Sequence, residues 1–327
     1  MDRRAFISTL AGGLLAAPLA AEAQPQPPPW RIGVLWEVRE VPPRFVPLVD
    51  WLREDLRTLG FNDRDLHFEV RQVEGASGLQ GAARELIRAQ PRVIWTSTDI
   101  VARIVRAESS DVPIVFGVAA DPVQGGVVES WAKPGGNVTG VAVHGHVPGK
   151  RLEILKEMVP GLRRVLVMPD PTMEATTAWL AELREAARRL GLSLVEQPVA
   201  SKADIERWPE IIKNERVDGI VHIVNATVNR YLEDTTKALG AARVPDISYY
   251  LPAAENRWAM AAYAVPHREA WRMSARLVAR ILRGAKPQDL PVESADVFEL
   301  HINLGLAKER GVRIPHTMLQ RANKIFE

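Results

Sequence analysis

The chain has 327 residues, 46% of them apolar and 25% charged, with no cysteine and a formal net charge of +2. The apolar and charged fractions are those of an ordinary globular protein, and the lack of cysteine excludes disulfides, thiol nucleophiles and thiolate metal sites. A charge this close to zero gives no reason to expect nucleic acid or an anionic membrane as partner, and the length suits two lobes of roughly 150 residues better than one core.

Residues 1–23 read as an export signal. Arg3 and Arg4 precede an apolar run of Gly, Leu and Ala that ends in Ala21-Glu22-Ala23. The Arg3-Arg4-x-Phe6 pairing has a twin-arginine character, while Asp2 stands where Ser or Thr is usual, so both the twin-arginine and the general secretory route stay open. The expectation is cleavage after Ala23 and release into the periplasm, with no membrane insertion afterwards, because the run is too short to span a bilayer. Residues 24–30 form a Pro-rich spacer.

From residue 31 the pattern alternates between strand and helix. Residues 31–36 are a short apolar run of parallel-strand type. A helix over 44–59 carries Phe45, Leu48, Leu52, Leu56 and Leu59 on one stripe and is closed by Gly60. Strands at 66–73 and 93–96 flank a helix at 78–90, a helix follows over 100–107, and 114–118 is a further strand. The same order restarts near residue 163, with strands at 164–168, 192–198 and 217–224 and helices at 176–190 and 202–215. Strands at 245–249, 260–265 and 298–302 and helices at 269–282 and 304–310 complete the chain. Alternation of this kind predicts parallel sheets covered by helices. The expected fold class is α/β, with two doubly wound parallel-sheet lobes. Lobe one takes 31–141 plus about 252–290, and lobe two takes 142–251 plus about 291–327.

One segment reads Asp121-Pro122-Val123-Gln124-Gly125-Gly126-Val127-Val128 and continues to Pro134-Gly135-Gly136-Asn137-Val138-Thr139-Gly140. Gly149-Lys150-Arg151-Leu152-Glu153 to Pro160-Gly161, Ile281-Leu282-Arg283-Gly284 and Phe298-Glu299-Leu300-His301-Ile302-Asn303 follow. From about Arg31 to its end the chain resembles the bacterial ABC-transporter substrate-binding family that includes tryptophan/tyrosine-type uptake proteins. It departs from that pattern at Glu255-Asn256-Arg257-Trp258-Ala259-Met260, where the family has a paired-glycine turn, and around Asn62-Asp63-Arg64, where a glycine is expected. The resemblance implies the type I periplasmic binding fold, with lobes joined by a hinge. It implies capture of an amino acid or related small molecule and delivery to a membrane permease, without enzymatic activity. A clamshell serving a receptor instead, or an exported enzyme using the cleft, are the alternatives.

In open parallel sheets ligands bind beyond the carboxyl ends of the strands. From lobe one this gives Trp36, Ser97, Thr98 and Asp121 as candidates, and from lobe two Asp170, Asn225, Thr227 and Tyr250. Ser97 and Thr98 precede a helix, so their hydroxyls either cap it or join its amides in holding a ligand carboxylate. Asp121 either pairs with a ligand ammonium or bonds its own backbone in a turn. Trp36 and Tyr250 either sandwich an aromatic group or pack in the core. Asp170 and Asn225 are polar ends of apolar strands. No cofactor and no metal are expected. His144 and His146 lack a third ligand, and Gly135-Gly136-Asn137 lacks the spacing and lysine of a phosphate loop.

Overall fold

Local pattern decides the elements: short apolar runs extend, and stripes at three- and four-residue steps coil. In chain order these are β1 (Trp30–Glu37), α1 (Leu48–Thr58), β2 (Leu66–Val73), α2 (Ala76–Arg88), β3 (Val93–Thr98), α3 (Asp99–Glu108), β4 (Ile114–Ala119) and β5 (Val138–Ala142). Next come α4 (Pro148–Met158), β6 (Arg164–Val167), α5 (Ala175–Leu190), β7 (Ser193–Glu196), α6 (Lys202–Glu206), α7 (Trp208–Asn214), β8 (Gly219–Val221), α8 (Ala226–Arg230), α9 (Leu232–Ala242) and β9 (Asp246–Ser248). The chain continues through α10 (Pro252–Glu255), β10 (Ala261–Ala264), α11 (His267–Leu282), β11 (Glu293–Ser294), β12 (Glu299–Asn303), α12 (Leu304–Glu309), α13 (His316–Arg321) and β13 (Lys324–Phe326). The structure, a computed structural model, describes residues 29–37, 47–73, 76–119, 121–143, 147–173 and 175–327. The export segment, the spacer up to residue 28, and His144 and His146 lie outside the described residues, and Trp30 already belongs to β1.

Among the described residues the strands form a 6-stranded sheet, order β11-β5-β4-β3-β1-β2, and a 7-stranded sheet, order β13-β12-β10-β9-β8-β6-β7. Every pairing in the first sheet is parallel. In the second, β10 and β12 run antiparallel and the rest are parallel. The chain passes between the sheets after β5, after β10 and after β11. Each pass leaves from the carboxyl end of a strand. The third enters β12 at the end that lies beside the carboxyl end of β10, because those two strands are antiparallel. The carboxyl ends of both sheets therefore lie toward the junction between the lobes.

The expected lobe boundaries near 252 and 291 both fall too early. α10 and β10 belong with the second sheet, and α11, which packs on α1, β3, β4 and β5, returns to the first together with β11. The run Ala261–Ala264 is apolar in either lobe, and only its pairing with β9 and β12 decides the matter. The helix expected over 202–215 is two helices meeting at Arg207. Pro209, at the start of the second, has no N–H for the carbonyl of Ile205.

Each sheet has a buried cluster on both faces. In the first lobe one cluster includes Ile32, Val34, Trp95, Val115, Trp271 and Val278, and the other Leu79, Leu86, Ile94, Ile114 and Phe116. In the second lobe Leu152, Leu155, Val165 and Ile302 lie on one side and Leu166, Trp208 and Ile220 on the other. Gly117 in β4 lets α11 approach: a Cβ there would stand 2.7 Å from the Trp95 ring and 2.8 Å from Trp271. The buried Trp95 indole then donates to Ser274 Oγ at 2.8 Å, and that hydroxyl donates to the Trp271 carbonyl at 2.7 Å.

Candidate functional site

On the first lobe, β3 ends in Ser97 and Thr98 and α3 starts at Asp99. Ser97 is buried and Thr98 half-buried. Thr98 Oγ1 accepts the amide of Val101 at 3.4 Å, which is the capping role weighed in the sequence. Asp99 is half-buried beside Gly125, and burial, with a smaller push from Asp121, raises its carboxyl to about 6. Asp121 is exposed, and its Oδ1 accepts the amides of Val123 at 3.1 Å and Gln124 at 3.0 Å. The expected ammonium partner is thus engaged in its own turn, as short polar side chains before a proline commonly are. Trp36 is half-buried in β1 and packs against the first lobe's apolar cluster.

On the second lobe, the side chains of Asp170 and Asn225 are hydrogen-bonded within their own lobe. Asp170 Oδ1 accepts from the Thr172 amide at 2.9 Å and the Thr172 hydroxyl at 2.6 Å, and its Oδ2 accepts from the Ala226 amide at 3.0 Å. Asn225 is 0% exposed. Its Oδ1 accepts the amides of Thr227 and Val228 at 2.9 and 3.0 Å, and its Nδ2 donates to the carbonyls of Met168 at 3.3 Å and Val199 at 3.1 Å. Both residues tie the loops after β6, β7 and β8 together, with the hydrogen bonds that buried polar groups require. Thr227 sits half-buried in α8.

Where the lobes meet, the structure gathers the candidate Tyr250 with residues that sequence reasoning did not select. Tyr250, just after β9, stacks on Trp258 with ring centres 6.3 Å apart and rings 13° from parallel. Its other neighbour is His267, the first residue of α11, at 5.6 Å and tilted 40°. His267 in turn stacks on Trp271 at 5.6 Å and 19°. Tyr250 is therefore already flanked by rings, which narrows the expected sandwich with Trp36 around a ligand. Burial pushes His267 down to about 4 and raises Tyr250. Arg151, in the first turn of α4, is 1% exposed, and burial pulls it down to about 10. It donates to the Tyr263 carbonyl at 3.4 Å, just before the second crossing. Tyr249, which burial raises to about 12, donates to Asn229 Oδ1 at 2.7 Å. The position of His267 directly after Pro266, at the head of an amphipathic helix, was the only sequence signal available for it.

A cavity of about 550 Å³ lies elsewhere on the first lobe, lined by Gln90, Arg92, Ser109, Asp111, Val112 and Leu282 among others. These residues follow helix ends and precede strands, so the cavity is at the pole opposite the facing carboxyl ends. Among the described residues no group of three metal-ligating side chains comes together, and no helix is long and apolar enough to cross a membrane.

The sequence pattern of the family described as ABC transporter substrate binding protein matches residues 43–326. A tyrosine-binding protein of Clostridioides difficile (strain R20291) is 21% identical over 251 residues, which cover 76% of this chain and 72% of that protein. Among solved structures, an ABC domain from Streptococcus pneumoniae in complex with L-Trp superposes with a TM-score of 0.80 at 21% identity, over 91% of this chain and 100% of the other. A conserved domain protein from Vibrio cholerae gives 0.79 at 26% identity, over 90% and 99%. A solute binding protein from Bacillus halodurans with bound myo-inositol gives 0.59 at 13% identity, over 87% and 98%. These likenesses bear out the expected two-lobed α/β fold of type I periplasmic binding proteins.

Proposed function

The chain belongs to the ABC transporter substrate binding protein family, and on that premise we propose that it captures an aromatic amino acid or a close relative between its lobes and hands it to a membrane permease. The observation that carries this reading is the arrangement of the sheets: their carboxyl ends lie toward the junction between the lobes, which the chain crosses three times. A ligand held from both sides favours the closed arrangement over the open one by the contacts it makes with the second lobe, and that difference is what drives closure. The names of the tyrosine-binding relative and of the L-Trp complex support an aromatic ligand.

On this reading the ligand's carboxylate meets the amides and hydroxyls where β3 passes into α3, at Ser97 and Thr98. Its ring lies toward Trp36 and the Tyr250 side of the second lobe, and Thr227 is a polar neighbour. Asp121 contributes through its turn rather than as a free carboxylate. The segment 1–23 directs export to the periplasm and is removed after Ala23. The test is titration calorimetry with L-tryptophan and L-tyrosine, using myo-inositol as the control, together with mass spectrometry of small molecules released on denaturation. Binding of one of the amino acids, weakened tenfold or more by Ser97→Ala or Thr98→Ala, is the expected result. Binding of neither, or release of a sugar from the purified protein, overturns the ligand class.

A further inference from the structure

We propose that His267 makes closure of the lobes proton-sensitive: the closed form accepts the neutral imidazole between Tyr250 of the second lobe and Trp271 of the first, so acidification opens the protein and releases its ligand. This deepens the reading above and rests on the lobes moving against each other.

The geometry is a single line of rings that crosses the lobe boundary. Trp258 and Tyr250 belong to the second lobe, and His267 and Trp271 head the helix that packs on the first. His267 follows the second crossing by only two residues, so it sits where the lobes pivot. Its covering from the second lobe is Tyr250, at 5.6 Å. Moving the lobes apart withdraws that ring and admits water to the imidazole.

No nearby charge compensates protonation. Among the described residues, the titratable group facing His267 from the second lobe is Tyr250, a neutral phenol held in that form by burial. On α11 the neighbouring charges are Arg268, Glu269 and Arg272, and on α1 they are Glu54 and Asp55. The carboxylates are engaged elsewhere: Arg268 donates to Asp55 at 2.8 Å and to Glu54 at 3.5 Å, and Arg272 donates to Glu269 at 2.8 Å. His267 is half-buried by its stacked neighbours, and that burial lowers its imidazole from 6.5 to about 4.

The sign follows from linkage. The closed form binds a proton at His267 more weakly than the open, hydrated form. Closure is therefore undiminished above about pH 6.5 and weakens as the pH falls toward 4. With those two limits, ligand affinity drops up to about 30-fold between pH 7.5 and pH 5.

The test uses the full mature chain with His267→Gln and with His267→Phe, the second preserving a ring in the stack should the first fold poorly. Small-angle scattering of the protein as purified, still carrying the small molecule that holds it closed, needs no knowledge of what that molecule is. The wild type should expand between pH 7.5 and pH 5 while both variants hold one radius of gyration. Calorimetry with L-tryptophan and L-tyrosine should show the affinity of the wild type falling over the same range and that of the variants staying flat. A wild-type radius that does not change, or an equal expansion in the variants, overturns the proposal. If neither amino acid binds at pH 7.5, the ligand class is wrong, and the scattering result alone decides the role of His267.

Discussion

Replacing Asn225 with alanine separates a structural brace from a ligand contact. The side chain is 0% exposed and makes four hydrogen bonds: two received from the amides of Thr227 and Val228, and two given to the carbonyls of Met168 and Val199. Losing the cap of α8 costs about 1 kcal/mol, and leaving two buried carbonyls without their donor costs about 1 kcal/mol each. The sum is about 3 kcal/mol. For a cooperative unit the size of one lobe this lowers Tm by roughly 6–12 °C. Asn225→Asp keeps the cap but sets a carboxylate against the same two carbonyls, so it should destabilise at least as much. The assay is calorimetric unfolding of both variants, with ligand titration well below the transition. Expected is a large fall in Tm with the affinity of the folded molecules little changed. An unaltered Tm with affinity lost tenfold would mean that the amide points to the ligand, and the bracing argument would be refuted.

Ser274→Ala removes the acceptor of the buried Trp95 indole and should cost about 1–3 kcal/mol in denaturant unfolding; a loss below 0.5 kcal/mol would show that the indole finds another partner. Gly117→Ala places a methyl 2.7 Å from Trp95 and should destabilise by about 1–3 kcal/mol, with a change in the tryptophan emission as the second readout. Asp99 has its carboxyl raised to about 6, chiefly by burial, so it favours the folded state most at low pH and that advantage fades as pH rises through 6. Asp99→Asn should therefore gain about 1–2 kcal/mol on the wild type in going from pH 4 to pH 7.5, and a constant stability difference across that range would contradict the assignment. Arg257 sits at φ +59°, and its ion pair with Glu309 is largely exposed; Arg257→Gly should leave Tm within about 3 °C of the wild type, because relief of about 1 kcal/mol of backbone strain offsets the lost pair and the greater freedom of glycine when unfolded.

Most of the fold was legible because helix stripes and apolar strand runs are local. The stripe of Leu48, Leu52 and Leu56 is buried as read, and the strands at 164–168 and 114–118 appear within a residue or so of their expected places. Sheet membership is not local. Nothing within Ala261–Ala264 distinguishes a strand of one lobe from a strand of the other, and the pairing that settles it comes from residues 299–302, nearly forty positions on. The junction at Thr96-Ser97-Thr98-Asp99 was read correctly as a strand passing into a capped helix, since capping chemistry depends on immediate neighbours. Asp170 and Asn225 were recognisable as polar strand ends, but not by the partners they take. Asn225 bonds carbonyls 57 and 26 residues away, and only the assembled sheet shows that these use up its polar atoms.

The turn at 255–260 has a consequence at the lobe boundary. Arg257 adopts the left-handed backbone that glycine takes without strain, so the turn forms at some conformational expense. The residue that follows is Trp258, which lies flat against Tyr250. Without that indole, Tyr250 would lose the ring stacked on it opposite His267. With it, the phenol is held in place and the second lobe presents a fixed ring to α11. The polar ends of that lobe, Asp170 and Asn225, are committed to its own loops. Substitutions in this turn therefore act, through Trp258 and Tyr250, on how the lobes seat against each other before they act on any direct contact with the ligand.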